Sequence, residues 1–165
     1  MPSFRQDLPA ALGAIETRPL FAMKLTVEPP QDLGITPFGQ RRVVVVSGGQ
    51  FESERLELNG RVLPGGSDWL TYRDNGVVVL DVRLVLETAS GDTIGMQYSG
   101  YRHGTAAVME RLARGDEVDP AEYYLRAAVR LETASPRLDW LNHTVAVATG
   151  HRYPDGPVYS VFEIA

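Results

Sequence analysis

The sequence contains no cysteine. That excludes a disulfide framework, a thiolate nucleophile and a zinc ribbon, and leaves the redox compartment open. Equally absent is any apolar run approaching the ~18 residues of a membrane-spanning helix. Positive charge is not concentrated: the net charge is -5 and the arginines are scattered. A phosphate backbone is therefore not the expected partner, because nucleic-acid recognition usually needs a clustered basic face. The histidines, His103, His143 and His151, show no His-x-His or His-x3-His spacing and have no carboxylate cluster beside them, so no metal is expected. No Gly-x-Ser-x-Gly elbow or Ser-x-x-Lys supports acyl-enzyme chemistry. The glycine pairs in "VSGGQF" and "LPGGSD" lack the spacing of phosphate loops and are expected to be bends, so no cofactor is expected either. The N-terminal "MPSFRQDLPAALGAIETRP" has no proper signal h-region, which makes the cytoplasm the expected location.

What is present is the composition of an ordinary folded protein, 44% apolar and 22% charged. A chain of 165 residues fits one domain, here 1–165 with an N-terminal arm over 1–19; a domain of that size buries roughly 70% of its unfolded surface. Short runs rich in Val, Leu, Tyr and Thr, separated by Gly, Pro, Asn and Asp clusters, predict strands near 20–27, 41–47, 54–63, 68–73, 76–88, 92–103, 122–133, 139–149 and 157–164. "TAAVMERLARG" predicts one helix at about 105–114, with Thr105 as N-cap and Gly115 as terminator. Nine strands and one helix suggest a closed barrel or a sandwich. The pentapeptide "LETAS" at 86–90 and again at 131–135 marks the close of a long strand, each expected to turn into another.

Two of these strands carry one apolar and one charged face. Val78, Leu80, Val82, Leu84 and Leu86 alternate with Asp81, Arg83 and Glu87; Leu125, Ala127, Val129 and Leu131 alternate with Tyr124, Arg126, Arg130 and Glu132. Either the apolar face turns to the core and the charges are solvated, or the charged face lines a ligand-holding lumen and the apolar face is covered from outside. In the second case Asp81 and Arg83, two positions apart on one face, supply each other's partner. Aromatic, amide, carboxylate and guanidinium groups suited to a pocket gather at Asp68-Trp69, Asp81, Arg83, Tyr98, Tyr124, Arg126 and, in "DWLNH", Trp140 and Asn142.

Three ordered blocks, "GGQFESERLELNGRVLPGGSDW", "GVVVLDVRLVLETASGDTIGMQYSG" and "YYLRAAVRLETASPRLDWLNHTVAVATG", resemble the bacterial and fungal family known as domain of unknown function 3237. The resemblance spans roughly residues 20–164 and lands on Gly48, Gly49, Gly60, Gly65, Gly66, Asp68, Trp69, Asp81, Arg83, Arg126, Trp140 and Asn142. "FESER" departs from it, standing where many relatives carry Gly-Pro after the Phe. It implies an all-β fold, an eight- to nine-stranded, mainly antiparallel barrel shaped like allene oxide cyclases and dirigent proteins, which bind hydrophobic or phenolic molecules in the lumen.

The leading functional expectation is a cofactor-free isomerase, cyclase or lyase acting on a phenolic or carbonyl-bearing metabolite. Asp68 or Asp81 would move a proton and Arg83 would stabilise negative charge with Arg126. Trp69, Tyr98, Tyr124 and Trp140 would form walls, and Asn142 would orient an oxygen. Because Asp68 and Trp69 point to opposite faces of a strand, at most one of them faces a lumen, and Asp68 is the expected one. The alternatives are a non-catalytic carrier barrel and a structural domain with a packed lumen. Apolar stripes turned outward would need cover, which makes a homo-oligomer the corollary of a polar lumen.

Overall fold

A computed structural model of the chain describes residues 4–165. Their ten strands are β1 (Thr17–Val27), β2 (Gln31–Thr36), β3 (Gly39–Glu52), β4 (Gly60–Val62), β5 (Gly66–Tyr72), β6 (Val78–Thr88), β7 (Thr93–Gly104), β8 (Tyr123–Glu132), β9 (Ala146–Tyr153) and β10 (Gly156–Ile164). Helix α1 (Ala106–Arg114) lies between β7 and β8. Its ends follow the capping chemistry of the sequence: Thr105 Oγ1 accepts from the Val108 N–H, and Gly115 closes the last turn at φ 81°, a left-handed conformation that favours glycine.

All pairings are antiparallel, and they close. The ladder runs β1, β10, β9, β8, β7, β6, then through β4 and β5, which occupy one lane between β6 and β3, and back from β3 to β1. β2 extends the first half of β3 beyond the lane of β1. The result is a closed eight-stranded barrel with two extra strands. The turn from β4 to β5 is made by "LPGG": Gly65 takes φ 105° and its N–H reaches the Val46 carbonyl at 3.1 Å.

The apolar stripes face inward. Val78, Leu80, Val82, Leu84 and Leu86 of β6 are buried, as are Leu125, Ala127, Val129 and Leu131 of β8, while Arg83 is exposed and Asp81 is partly so. Charges on the alternate face thus keep their hydration and the barrel gains its apolar burial, which is the cheaper of the two orientations. The ground for expecting outward apolar stripes that need a covering subunit is thereby removed.

Two expected elements differ and one strand is additional. Of the span 54–63 only Gly60–Val62 is strand; Leu56–Leu58 is a 3-10 turn. The second "LETAS" leads not into a strand but into a longer 3-10 segment, Pro136–His143, started by a proline in its first turn, so Asp139–His143 of "DWLNH" lies off the sheet and β9 begins at Ala146. β2 was not foreseen; "QDLGIT" is short, mostly exposed and interrupted by Gly34 at φ 77°.

Candidate functional site

The barrel interior is filled unevenly. Around Leu20, Phe51, Leu58, Leu86, Ile94, Leu138 and Leu141 it is packed solid. Toward α1 it opens into a cavity of about 410 Å³, walled by Val44, Val46, Leu80, Val82 and Leu125 and roofed by Met109 and Leu112 of the helix, with Glu28, Pro30, Gly76 and Glu110 at the rim. That volume lies within the ~300–1,000 Å³ usual for small-molecule sites.

Polar groups enter where the inward stripes of five strands approach α1. On β5 the inward positions are Asp68, Leu70 and Tyr72; on β7 they end in Tyr98, Gly100 and Arg102; β3 contributes Arg42, β9 Arg152 and β10 Tyr159. Asp68 is held by the wall itself, its Oδ1 accepting the Asp81 N–H at 3.2 Å. Solvent reaches Asp68 only in part, and loss of hydration pushes its carboxyl from 3.8 up to about 7. The Asp81 N–H and the Arg102 charge oppose that rise, and the Asp81 charge adds to it. Tyr98 and Tyr159, both nearly inaccessible, stand with ring centroids 5.1 Å apart, and burial holds both phenols in their protonated form well above the ordinary range.

The cations are arranged differently. Arg42 lies 3.5 Å from Asp32 and 5.1 Å over the Tyr72 ring. Arg152 is pulled below its ordinary value by burial and by the Arg102 charge. The Tyr123 hydroxyl fixes the backbone beneath it, accepting the Arg152 N–H at 2.8 Å while meeting His151 Nδ1 at 2.9 Å. Arg102 Nε is buried with no hydrogen-bond partner among the described residues.

Of the residues singled out in the sequence, Asp68 and Tyr98 meet in the cavity. The others do not. Asp81 and Arg83 pair with each other at 3.2 Å on the outer wall. Trp69 is outside under Arg41, 5.9 Å from its ring, with its Nε1 donating to Ser67 Oγ. Tyr124 stacks on His103 at 4.8 Å, with the Arg126 guanidinium over the Tyr124 ring at 5.3 Å, all on the barrel exterior. Trp140 packs against the core edge beneath Arg55, and Asn142 closes a turn, accepting the Thr133 N–H and donating to the Thr133 carbonyl and Asp139. These placements follow from strand parity for the wall residues and from the 3-10 segment for the last two.

Known proteins share this architecture and sequence. Residues 15–164 match the family described as "Protein of unknown function (DUF3237)". The chain belongs to this family. A UPF0311 protein of Bradyrhizobium diazoefficiens is 30% identical over 150 residues, 91% of this chain and 97% of the relative. Within the same fold, the crystal structure of a β-barrel-like protein from Acinetobacter baumannii is 36% identical with a TM-score of 0.79, covering 92% of this chain and 97% of the other. An enzyme from Penicillium herquei, 19% identical, superposes with a TM-score of 0.68 over 92% of this chain and 95% of its own, a likeness of fold alone.

For this DUF3237 protein, sequence reasoning missed Arg42, Arg102, Arg152 and Tyr159. A signal for them exists. Each arginine continues an inward apolar stripe, Arg102 after Ile94 and Met96, Arg152 after Ala146 and Ala148, Arg42 before Val44 and Val46. The informative charge is the one that interrupts a greasy face, since only there does the fold bear a desolvation cost for it.

Proposed function

We propose that this protein is a cofactor-free acid–base enzyme, of isomerase, cyclase or lyase type, acting on a phenolic or carbonyl-bearing metabolite in the lumen. The observation that carries this is Asp68: a carboxyl in a water-restricted cavity, poised at about 7, where it accepts or returns a proton at neutral pH. Arg102 on the inward stripe of β7 supplies a fixed positive charge for an oxygen that becomes negative as a neighbouring carbon loses its proton. Tyr98 and Tyr159 keep their protons and act as wall and hydrogen-bond donors. A pure carrier has no need of a carboxyl tuned in this way.

The test is solvent exchange. Cyclic 1,3-diketones, aryl ketones and oxo-acids incubated with protein in deuterated buffer are followed by proton NMR for loss of α-proton signal. At least one class exchanges faster than in buffer, and Asp68→Asn slows that exchange by about 100-fold or more, the low end of general acid–base contributions. Equal rates for the variant and the native protein would remove Asp68 from the chemistry.

A further inference from the structure

Arg102 of β7 and Arg152 of β9 flank β8, both line the cavity, and they lie close enough for the charge of Arg102 to act on Arg152. Arg102 pairs in register with Leu125, and Tyr123, two residues earlier on the same strand, holds the backbone of Arg152. Among the described residues neither guanidinium forms an ion pair or a side-chain hydrogen bond, whereas Arg42, also in the lumen, has Asp32 and the Tyr72 ring. Two unpaired cations thus share a confined space with one inward carboxylate, Asp68; Glu28 and Glu110 sit at the rim and pair with neither. Removing guanidiniums from water without a partner is unfavourable, and placing two together is more so. A site of this kind is completed by one further negative charge.

We propose that the lumen recognises its ligand by a planar organic oxyanion, a carboxylate or the enolate of a 1,3-dicarbonyl compound, bound between the Arg102 and Arg152 guanidiniums. Both anions spread one charge over two coplanar oxygens, the geometry that a guanidinium fork meets with paired N–H donors. The rest of the ligand is apolar and flat, since the walls beyond the arginines are Val44, Val46, Leu80, Val82 and Leu125 with the Tyr98 and Tyr159 rings beneath the helix. This deepens the acid–base reading of the same cavity: an oxyanion anchored at the arginines leaves the adjacent carbon toward Asp68.

Calorimetry and thermal shift with cinnamate, 2-naphthoate and the enolate of benzoylacetone, against methyl cinnamate and methyl 2-naphthoate, test it. The oxyanions bind and raise the melting point, the esters do not, and the stronger of the carboxylate and enolate arms identifies the source. Arg102→Gln and Arg152→Gln each weaken binding by about tenfold or more, as expected for a charge-assisted hydrogen bond. Arg102→Lys, which keeps the charge but not the fork, falls between, and it serves if the Gln variant does not fold. Asp68→Asn, which removes the competing carboxylate, tightens binding. Esters binding as well as acids, unchanged affinity in both arginine variants, or no binding by any oxyanion would overturn the proposal. If oxyanions bind as stated while Asp68→Asn leaves proton exchange unaltered, the enzyme reading fails and this one stands.

Discussion

Asp68 and Asp81 belong to neighbouring strands and are joined by a 3.2 Å hydrogen bond, yet their carboxyls lie on opposite sides of the barrel wall. One backbone N–H, that of Asp81, is donated to the inward carboxylate, while the Asp81 side chain points out to Arg83. Two residues that look equivalent in the sequence thus meet different dielectrics, and burial displaces the inward carboxyl to about 7.

Stability should record that displacement. Because Asp68 titrates at about 7 when folded against 3.8 ordinarily, the native state holds a proton that the unfolded chain has released between those values. Its contribution is fully present below 3.8 and is lost as pH rises through about 7. Asp68→Asn keeps an oxygen for the Asp81 N–H but cannot ionise. The variant therefore gains on the native protein as pH rises, by roughly 2 to 4 kcal/mol once Asp68 is ionised. Asp92, held near 2 by Arg137, and Asp155, lowered by Lys24, lose stability in the opposite sense as pH falls, equally in both proteins. Denaturant unfolding at about pH 5 and about pH 8 reads the difference; parallel pH profiles would contradict it.

Arg83→Ala should be quiet. Its 3.2 Å pair with Asp81 joins two side chains that are 63% and 47% exposed, so its loss costs about 1 kcal/mol or less. Ligand affinity in the lumen is unchanged, and the same holds for affinity in Trp69→Ala, because that ring is 43% exposed on the outer wall. A tenfold drop in affinity from either substitution would mean that the outer wall takes part in binding.

Gly150→Ala should damage the cavity from within. An added Cβ would lie 2.7 Å from both the Leu125 side chain and the Tyr159 ring, which must move toward the lumen. Overpacking of this kind costs about 1–3 kcal/mol. Weaker ligand-induced stabilisation is expected alongside the lowered melting point, and an unaltered ligand response would show that Tyr159 does not bound the ligand.

Much of the architecture is present in the chain itself. Alternation in β6, β7 and β8 predicts half-buried antiparallel strands, "LPGG" predicts the reversal before β5, and Thr105 with Gly115 brackets the helix, because each is a local property of a few adjacent residues. The three family blocks extend that to the barrel. Period-two alternation, however, defines two faces without saying which is inside. That is decided by closure of β3 onto β1, which encloses the apolar stripes and leaves Arg83, Tyr124 and Arg126 to water. Closure also gathers Asp68, Arg102 and Arg152, separated by long stretches of sequence, at the one end of the lumen that the packed leucines do not fill. The sequence by itself determined that Asp68 and Trp69 must part company across a strand; only the closed barrel decided that the carboxyl goes where water is scarce, and burial there is what tunes it.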